Sequence, residues 1–409
     1  MIQAHAIPRS RALETTLRKI TECLARELAC PTEYAPDWSE FEWIVARAVA
    51  AMHGVSPLLS STLRWRGPAG WAEFLAEQRT HTANRHARID VLLRRVDAAT
   101  REAGVAAVAL KGVALFALGL YAVGERPMAD IDLLVQPADA KRTARMLEAL
   151  GFRESCASWK ERVFIPIDDH PPLGFGEHSN NDLKIELHER ICEQLPWHVT
   201  DITEIVFPVM PHSGLNAYPS KASLMTHLLL HAAGSMAFQS LRLLHLHDLA
   251  QLSSRMTEED WNTVVKSSRG RGGLWWAYPP LQLTSRYFTD NIPARVLEAL
   301  ADDCPFLLER ACRQQSLYDV SFSYLWVDAF PGIEWSQSFR EILAYAASRV
   351  WPDSKHIALR EQNANTEAWA AQSQWPRLSQ GRRILRWMIS RPTRPVTMHA
   401  VRSALAQSR

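Results

Sequence analysis

The sequence has few cysteines, and their spacing is not that of a metal site. Six cysteines are scattered over 409 residues, with no C-x-x-C pair. Zinc sites are usually built from such closely spaced pairs. We therefore expect reduced thiols and no structural zinc.

Long apolar runs are also missing. The uncharged stretch at residues 112–124 is shorter than the ~20 apolar residues that a membrane-spanning helix needs. The first twenty residues lack the apolar segment of a signal peptide. We expect a cytoplasmic protein without a membrane span.

Acidic residues are absent from the C-terminal segment. Residues 377–409 contain eight arginines and no aspartate or glutamate, although the whole chain has a net charge of only +2. The overall balance excludes a general affinity for polyanions, but this segment could contact an acidic partner, an RNA or a membrane surface. Most such runs are solvated or frayed, and we interpret residues 377–409 in that way.

The periodicity of apolar residues divides the chain into helical and mixed regions. Helical spacing dominates residues 1–103 and 219–376, whereas short alternating or apolar runs typical of strands are interleaved with helices between them. We predict an α+β protein with a helical N-terminal region (1–103), a small-sheet core (104–218), a helical C-terminal domain (219–376) and a basic tail (377–409).

Two aspartates in the core region are the main clue to function. Asp130 and Asp132 flank Ile131 at the start of an apolar run, so their carboxylates point to the same face of a strand. Adjacent buried carboxylates repel each other and are costly without a cation. The pair therefore indicates a divalent metal site, and the alternative is a solvated surface strand.

A second acidic strand follows 54 residues later. Glu186 alternates with Ile185 and Leu187, and it could bind a metal or accept a proton; an exposed acid on an edge strand is an equal alternative. His188 would share its face, either near the site or as a hydrogen-bonded core residue. His227 and His231 are spaced like zinc ligands but lack the H-E-x-x-H glutamate.

Three residues near the aspartates suit an anionic ligand. Lys111 and Gly112 stand at a strand-to-helix junction, where backbone amides favour an anion. Arg126 precedes the aspartate strand and could form a bidentate contact with phosphate. The alternatives are a solvated lysine and an arginine paired with an acid such as Glu125.

Together these segments resemble a bacterial family of uncharacterised nucleotidyltransferases in the DNA polymerase β-like superfamily. The likeness covers roughly residues 38–255 and rests on LKG at 110–112, Tyr121, Arg126-Pro127, DIDLLV at 130–135, LEALGF at 147–152 and IELH at 185–188. The resemblance implies a mixed sheet of five strands or fewer. It also implies transfer of a nucleoside monophosphate (NMP) from a nucleoside triphosphate (NTP) to an acceptor hydroxyl, with release of pyrophosphate.

The resemblance also implies roles for individual residues. Asp130, Asp132 and Glu186 would be catalytic and would hold two Mg²⁺ or Mn²⁺ ions. Many superfamily members carry a serine after the turn glycine, but this chain has Val113. Binding of the triphosphate would therefore depend on Lys111, Gly112 and Arg126.

Two functions stay open at this stage. The first is an active nucleotidyltransferase, with a small molecule, a peptide or protein, or an RNA end as acceptor; the family's genomic neighbourhoods suggest a tailoring role in biosynthesis. The second is a degenerate fold that serves as a nucleotide-binding or interaction module. Arg242 and Asp248 could form the far wall of a nucleotide cleft in either case.

Overall fold

A computed structural model describes residues 7–170, 173–268, 273–352, 375 and 378–407. The N-terminal region is helical: α1 Ser10–Ala29, α2 Glu40–Met52, α3 Ser56–Thr62 and α4 Ala69–Glu102. At the start of α2, Ser39 and Glu42 form a reciprocal capping box, which satisfies backbone donors at the helix start.

The middle of the chain alternates strands and helices, as predicted. In chain order these are β1 Ala106–Ala109, α5 Lys111–Ala117, β2 Asp130–Val135, α6 Ala140–Ala149, β3 Phe152–Ala157, β4 Arg162–Pro166, β5 Lys184–His188, β6 Cys192–Leu195, β7 His198–Asp201, α7 Thr203–Val206 and β8 Gly214–Asn216. The last three strands have no clear alternation and were not predicted.

The strands form a six-stranded mixed sheet in the order β3-β4-β5-β2-β1-β8, and β6 pairs with β7 in a second sheet. The α+β class is confirmed, but the main sheet has more strands than the five or fewer that the resemblance implied. Its additional edge strand is β8, which pairs in parallel with β1. β2 and β5 run in parallel at the centre.

The two faces of the central strands have different environments. Ile131, Leu133 and Ile185 belong to a core that includes Ile89 and Val96 of α4. Leu134 faces the opposite side, within a larger core that joins the helices from both ends of the chain. The acidic residues share the face of Leu134, and that face looks toward the C-terminal helices.

The C-terminal part is mostly helical. Its helices are α8 Lys221–Ala237, α9 Leu243–Ser253, α10 Glu258–Ser268, α11 Tyr278–Tyr287, α12 Ala294–Ala301, α13 Phe306–Gln314, α14 Phe339–Val350, α15 Gln380–Ile389 and α16 Pro395–Gln407. Part of the helical domain predicted for residues 219–376, from 353 to 374, lies outside the described ranges. No single helix in the described ranges is long and apolar enough to cross a membrane.

The structure corrects the interpretation of the basic C-terminal segment as a solvated tail for α16, whereas α15 has no buried residue. Val401 and Ala404 of α16 are buried in the main core, and α16 packs against α2. Arg394 donates hydrogen bonds to the carbonyl oxygens of Gln239 (2.8 Å) and Ser321 (3.0 Å). Burial lowers its pKa to about 10. This arginine is a structural residue that ties α16 to the loop before α9.

Arg394→Met should lower the free energy of unfolding by about 1–3 kcal/mol, because two buried carbonyl groups lose a charged donor. Urea denaturation of the variant and the wild type measures this. Arg402→Met, at an exposed position of the same helix, should change stability by less than about 0.5 kcal/mol. Equal stability of the two variants would contradict a structural role for Arg394.

Candidate active site

The parallel register of β2 and β5 brings the predicted acids together. Asp132 lies opposite Glu186, and His188 follows on the same face of β5. The Nε2 atom of His188 lies 3.0 Å from Oδ1 of Asp132 and 3.9 Å from Oε2 of Glu186. Residues separated by 56 positions in sequence therefore form one polar cluster on a mostly apolar sheet.

This cluster has the donor set of a metal site. One ligand atom from each of Asp132, Glu186 and His188 lies within 4.8 Å of the others. Two carboxylates suit Mg²⁺ or Mn²⁺, and an imidazole is tolerated by Mn²⁺. The Nδ1 atom of His188 is buried and has no hydrogen-bond partner within the described part of the chain. Asp130 is not in this group of atoms.

The electrostatics of the three acids show how much negative charge is concentrated here. Burial and the neighbouring Asp132 carboxylate raise the pKa of Asp130. Burial and the charges of Asp130 and Asp132 raise the pKa of Glu186 to about 9. Burial opposes ionisation of Asp132 as well, but Lys111 and His188 hold its pKa well below the ordinary range. The three carboxylates therefore influence one another's ionisation and have to be considered together.

Lys111 is the cation in contact with the cluster. Its Nζ atom lies 2.8 Å from Oδ1 of Asp132, and both side chains are largely buried. Its backbone has a φ of 46°, a left-handed conformation that costs a non-glycine residue free energy and is common at functional sites. The backbone N–H donates to the Tyr218 hydroxyl (3.2 Å), which pairs with Nδ1 of His227 (2.7 Å).

His227 therefore has a role in holding Lys111, and nothing in the described residues places it in a zinc site. Burial, with a contribution from the Lys111 charge, holds the pKa of His227 well below its ordinary value. A neutral imidazole can accept a hydrogen bond from the Tyr218 hydroxyl. The tyrosine oxygen then remains free to accept from the Lys111 backbone.

Arg126 is engaged by an aspartate of α9. Its Nε and Nη2 atoms donate to the two carboxylate oxygens of Asp248 at 2.8 and 2.7 Å. The Tyr121 hydroxyl donates to the same carboxylate at 2.7 Å. Arg126 and Asp248 are both buried, so this is a fully desolvated bidentate pair. Phosphate contact by Arg126 stays a prediction. In this structure its guanidinium instead holds the segment just before β2 against α9.

Gly112 is required by this packing. A Cβ atom at this position would collide with Nη1 of Arg126, and it would lie 3.0 Å from Cγ of Met128. Gly112 is predicted to face a phosphate, and the structure gives a second reason for a glycine at this position. Arg126 approaches the start of α5 too closely to leave room for a side chain. Nucleotide contact by Gly112 remains a prediction.

A loop and the long helix α4 form the wall beside Asp130. The Arg85 guanidinium donates to the carbonyl oxygens of Met128, Ala129 and Asn181, and its Nε lies 3.3 Å from Oε2 of Glu177. The backbone just before Asp130 is therefore held by α4. Glu177 belongs to the loop between β4 and β5, and burial raises its pKa.

Sequence reasoning and structure agree on some site residues and differ on others. Asp132, Glu186 and Lys111 are brought into one cluster, with Asp130 beside them. His188 was left as a neighbour or a core residue, although its position two residues after Glu186 was a usable signal. Glu177 and Tyr218 were missed, because single polar residues in loops have no pattern that marks them.

The Arg126–Asp248 pair should behave as a buried ion pair. Asp248→Ala should cost about 3–5 kcal/mol, because it leaves Arg126 charged and unpaired. The double variant Arg126→Met/Asp248→Leu should cost less than Asp248→Ala alone. Urea denaturation checks both, with Asp90→Ala, from an exposed pair on α4, as the control near zero. If the losses of stability simply added up in the double variant, the description of Arg126 and Asp248 as a buried ion pair would be refuted.

The raised pKa of Glu186 predicts a pH-dependent stability without metal. Its folded pKa of about 9 exceeds the unfolded value of 4.5, so the folded state holds an extra proton between these values. The free energy of unfolding in EDTA should fall as pH rises from 5 to 9. Glu186→Gln should reduce this slope, whereas Glu148→Gln, on the exposed side of α6, should not. An unchanged slope in Glu186→Gln would contradict the assignment.

Neither the curated proteins nor the solved structures gave a match. A model of the family described as uncharacterised nucleotidyltransferases matches residues 39–289, a range that contains the whole acidic cluster as well as Arg126 and Asp248. By this match over more than half of its length, the chain belongs to the uncharacterised nucleotidyltransferase family.

Proposed function

We propose that this protein transfers an NMP from an NTP to an acceptor hydroxyl by a two-metal mechanism, within the polymerase β-like superfamily. The observation that carries the proposal is the β2–β5 register, which places Asp132 opposite Glu186 in a chain of a nucleotidyltransferase family. Three carboxylates on one face of the central strands, with Asp132 buried, serve no packing purpose. They are suited to holding cations beside a polyphosphate.

The residues of the cluster have separable tasks in this reaction. Asp130, Asp132 and Glu186 would hold the divalent metal ions, with His188 at their edge. Bound Mg²⁺ or Mn²⁺ would neutralise the phosphates and lower the pKa of the acceptor hydroxyl. Lys111 reaches Asp132 at 2.8 Å, and its ammonium could turn to a phosphate oxygen. Positioning and charge neutralisation dominate phosphoryl-group chemistry, and this site supplies both.

The bond changes balance with the groups that are present. The acceptor oxygen attacks the α-phosphorus, and the bond from that phosphorus to the bridging oxygen of the β-phosphate breaks. Pyrophosphate leaves with the electron pair. The hydroxyl proton passes to a carboxylate, and Glu186, on the strand beside Asp132, would accept it in its ionised form.

One observation favours the second function, a nucleotide-binding module without catalysis. The Lys111 ammonium already contacts Asp132, and a lysine in that position could replace a metal ion permanently. Binding of Mn²⁺ measured by electron paramagnetic resonance separates the two. Wild-type protein that binds no Mn²⁺ with or without NTP would favour the module.

Asp132→Asn should reduce NMP transfer by more than about 100-fold, because even outer-shell partners of metal ligands contribute 10- to 100-fold. The assay follows pyrophosphate release from each of the four NTPs with Mg²⁺ or Mn²⁺ and candidate acceptors, including water. Glu148→Gln, on the opposite side of the sheet, removes one exposed carboxylate as the control. Equal pyrophosphate release by the wild type and Asp132→Asn would refute the proposed function.

A further inference from the structure

Helix α15, Gln380–Ile389, lies on the surface of the protein and is held there at both ends. At its start, the Gln380 side-chain amide donates to the Arg349 carbonyl at the end of α14 (2.6 Å). Near its end, Nε1 of Trp387 donates to the Val327 carbonyl (3.1 Å). None of the ten residues of α15 is buried. The helix therefore rests on the protein with one side and presents the other side to solvent.

The outward side of α15 carries a ridge of apolar side chains formed by Leu385, Met388 and Ile389. Met388 and Ile389 follow Leu385 by three and four positions, a spacing that places all three on one side of a helix. Their exposed fractions are 57%, 72% and 76%. Single exposed apolar residues need no explanation, but a contiguous group of them marks a surface that binds a partner.

Arginines border this apolar ridge. Arg382 and Arg386 each precede a residue of the ridge by three positions, so they lie beside it, and both are exposed. Arg383 instead points toward the protein, where its Nε donates to the Trp375 carbonyl (3.0 Å). Residues 377–409 contain no aspartate or glutamate. The sequence around the helix thus supplies no carboxylate to neutralise the exposed arginines.

The neighbouring helix α14 adds further exposed apolar side chains. Phe339 and Leu343 are both exposed, and their separation of four positions places them on one side of α14. Trp351, which directly follows α14, is also exposed, and it stands two residues after the Arg349 carbonyl that binds the start of α15. Tryptophan is enriched where proteins meet the interface of a membrane.

Three kinds of partner have to be compared for this surface. A second copy of the chain, packed symmetrically on α15, would bring like charges of Arg382 and Arg386 together, which is unfavourable. A nucleic acid would pair with the arginines, but aliphatic side chains contribute little to its binding, which depends on charge and aromatic stacking. A bilayer with anionic lipids suits both features, because apolar side chains enter the acyl region while arginines reach the phosphates.

We propose that α15 binds the surface of a membrane that contains anionic lipids. Leu385, Met388 and Ile389 enter the boundary between headgroups and acyl chains, and Arg382 and Arg386 contact the lipid phosphates. The helix lies along the interface, as basic amphipathic helices do. This membrane contact does not depend on the proposed transferase activity, and its loss would leave the chemistry of the acidic cluster unchanged.

Co-sedimentation of the full-length protein with vesicles tests the role of the apolar ridge. Wild-type protein should bind vesicles of equimolar phosphatidylcholine and phosphatidylglycerol. Leu385→Gln/Met388→Gln should weaken this binding about 10-fold or more, because two aliphatic side chains no longer leave water. Phe306→Gln/Leu307→Gln changes an exposed apolar pair at the start of α13 and is the matched control. It should bind within about twofold of wild type.

The same assay tests the role of the arginines. Wild-type protein should bind vesicles of phosphatidylcholine alone about 10-fold more weakly than the anionic vesicles, because each arginine near an anionic surface contributes to binding. Arg382→Gln/Arg386→Gln should lose most of this preference. High salt should weaken wild-type binding to the anionic vesicles, because salt screens exposed charges, and it should affect the arginine variant much less.

The proposal is overturned if wild-type protein sediments with neither kind of vesicle. It is equally overturned if Leu385→Gln/Met388→Gln, shown to be folded by circular dichroism, binds the anionic vesicles as tightly as wild type; Leu385→Gln alone replaces the double variant if that one fails to fold. A wild-type dimer in sedimentation velocity that this variant abolishes, without any vesicle binding, would assign the ridge to self-association instead. Failure of every NMP-transfer assay has no bearing on these results.

Discussion

The concentration of carboxylates on one face of the central sheet is the constraint on which the rest of the site depends. Asp130 and Asp132 raise the free-energy cost of charging Glu186, Asp132 does the same to Asp130, and Asp132 is itself buried. Nearby cations, or protons taken up by the carboxyl groups, relieve this cost. Lys111 supplies one positive charge by direct contact. The remaining negative charge makes the cleft receptive to metal ions.

Helix α9 organises the positive charges that face this cluster. Asp248 binds Arg126 and holds it against Gly112, so that arginine contributes rigidity. Arg242, at the start of the same helix, has its guanidinium carbon 5.4 Å from the ring centroid of Phe322. On the other wall, Glu177 and three carbonyl groups occupy Arg85. Arg85 and Arg126 are thus each held in place by the acid that they meet.

Periodicity in the sequence was sufficient for the local elements that carry the site. The alternation around Ile185 and Leu187 and the apolar run after Asp132 correctly predicted β5 and β2, and the common face of Asp130 and Asp132 follows from strand geometry alone. The register between β2 and β5 could not be predicted from the sequence, because the pairing of Asp132 with Glu186 is set by the packing of the whole sheet. The bond between Arg126 and Asp248 joins residues 122 positions apart. No local pattern marks such a partner, and none marks the separate β6–β7 sheet or the edge strand β8.

The docking of α16 on α2 has a consequence for how the chain is made. The last described helix completes a core that begins with the first helices, and 343 residues separate Met52 from Pro395. At about 5–20 residues per second, synthesis leaves the apolar face of α2 without this partner for roughly 20–70 s. The nascent chain must keep that surface from aggregating until its end is released. Acquisition of the native core is therefore a late event in the life of each molecule.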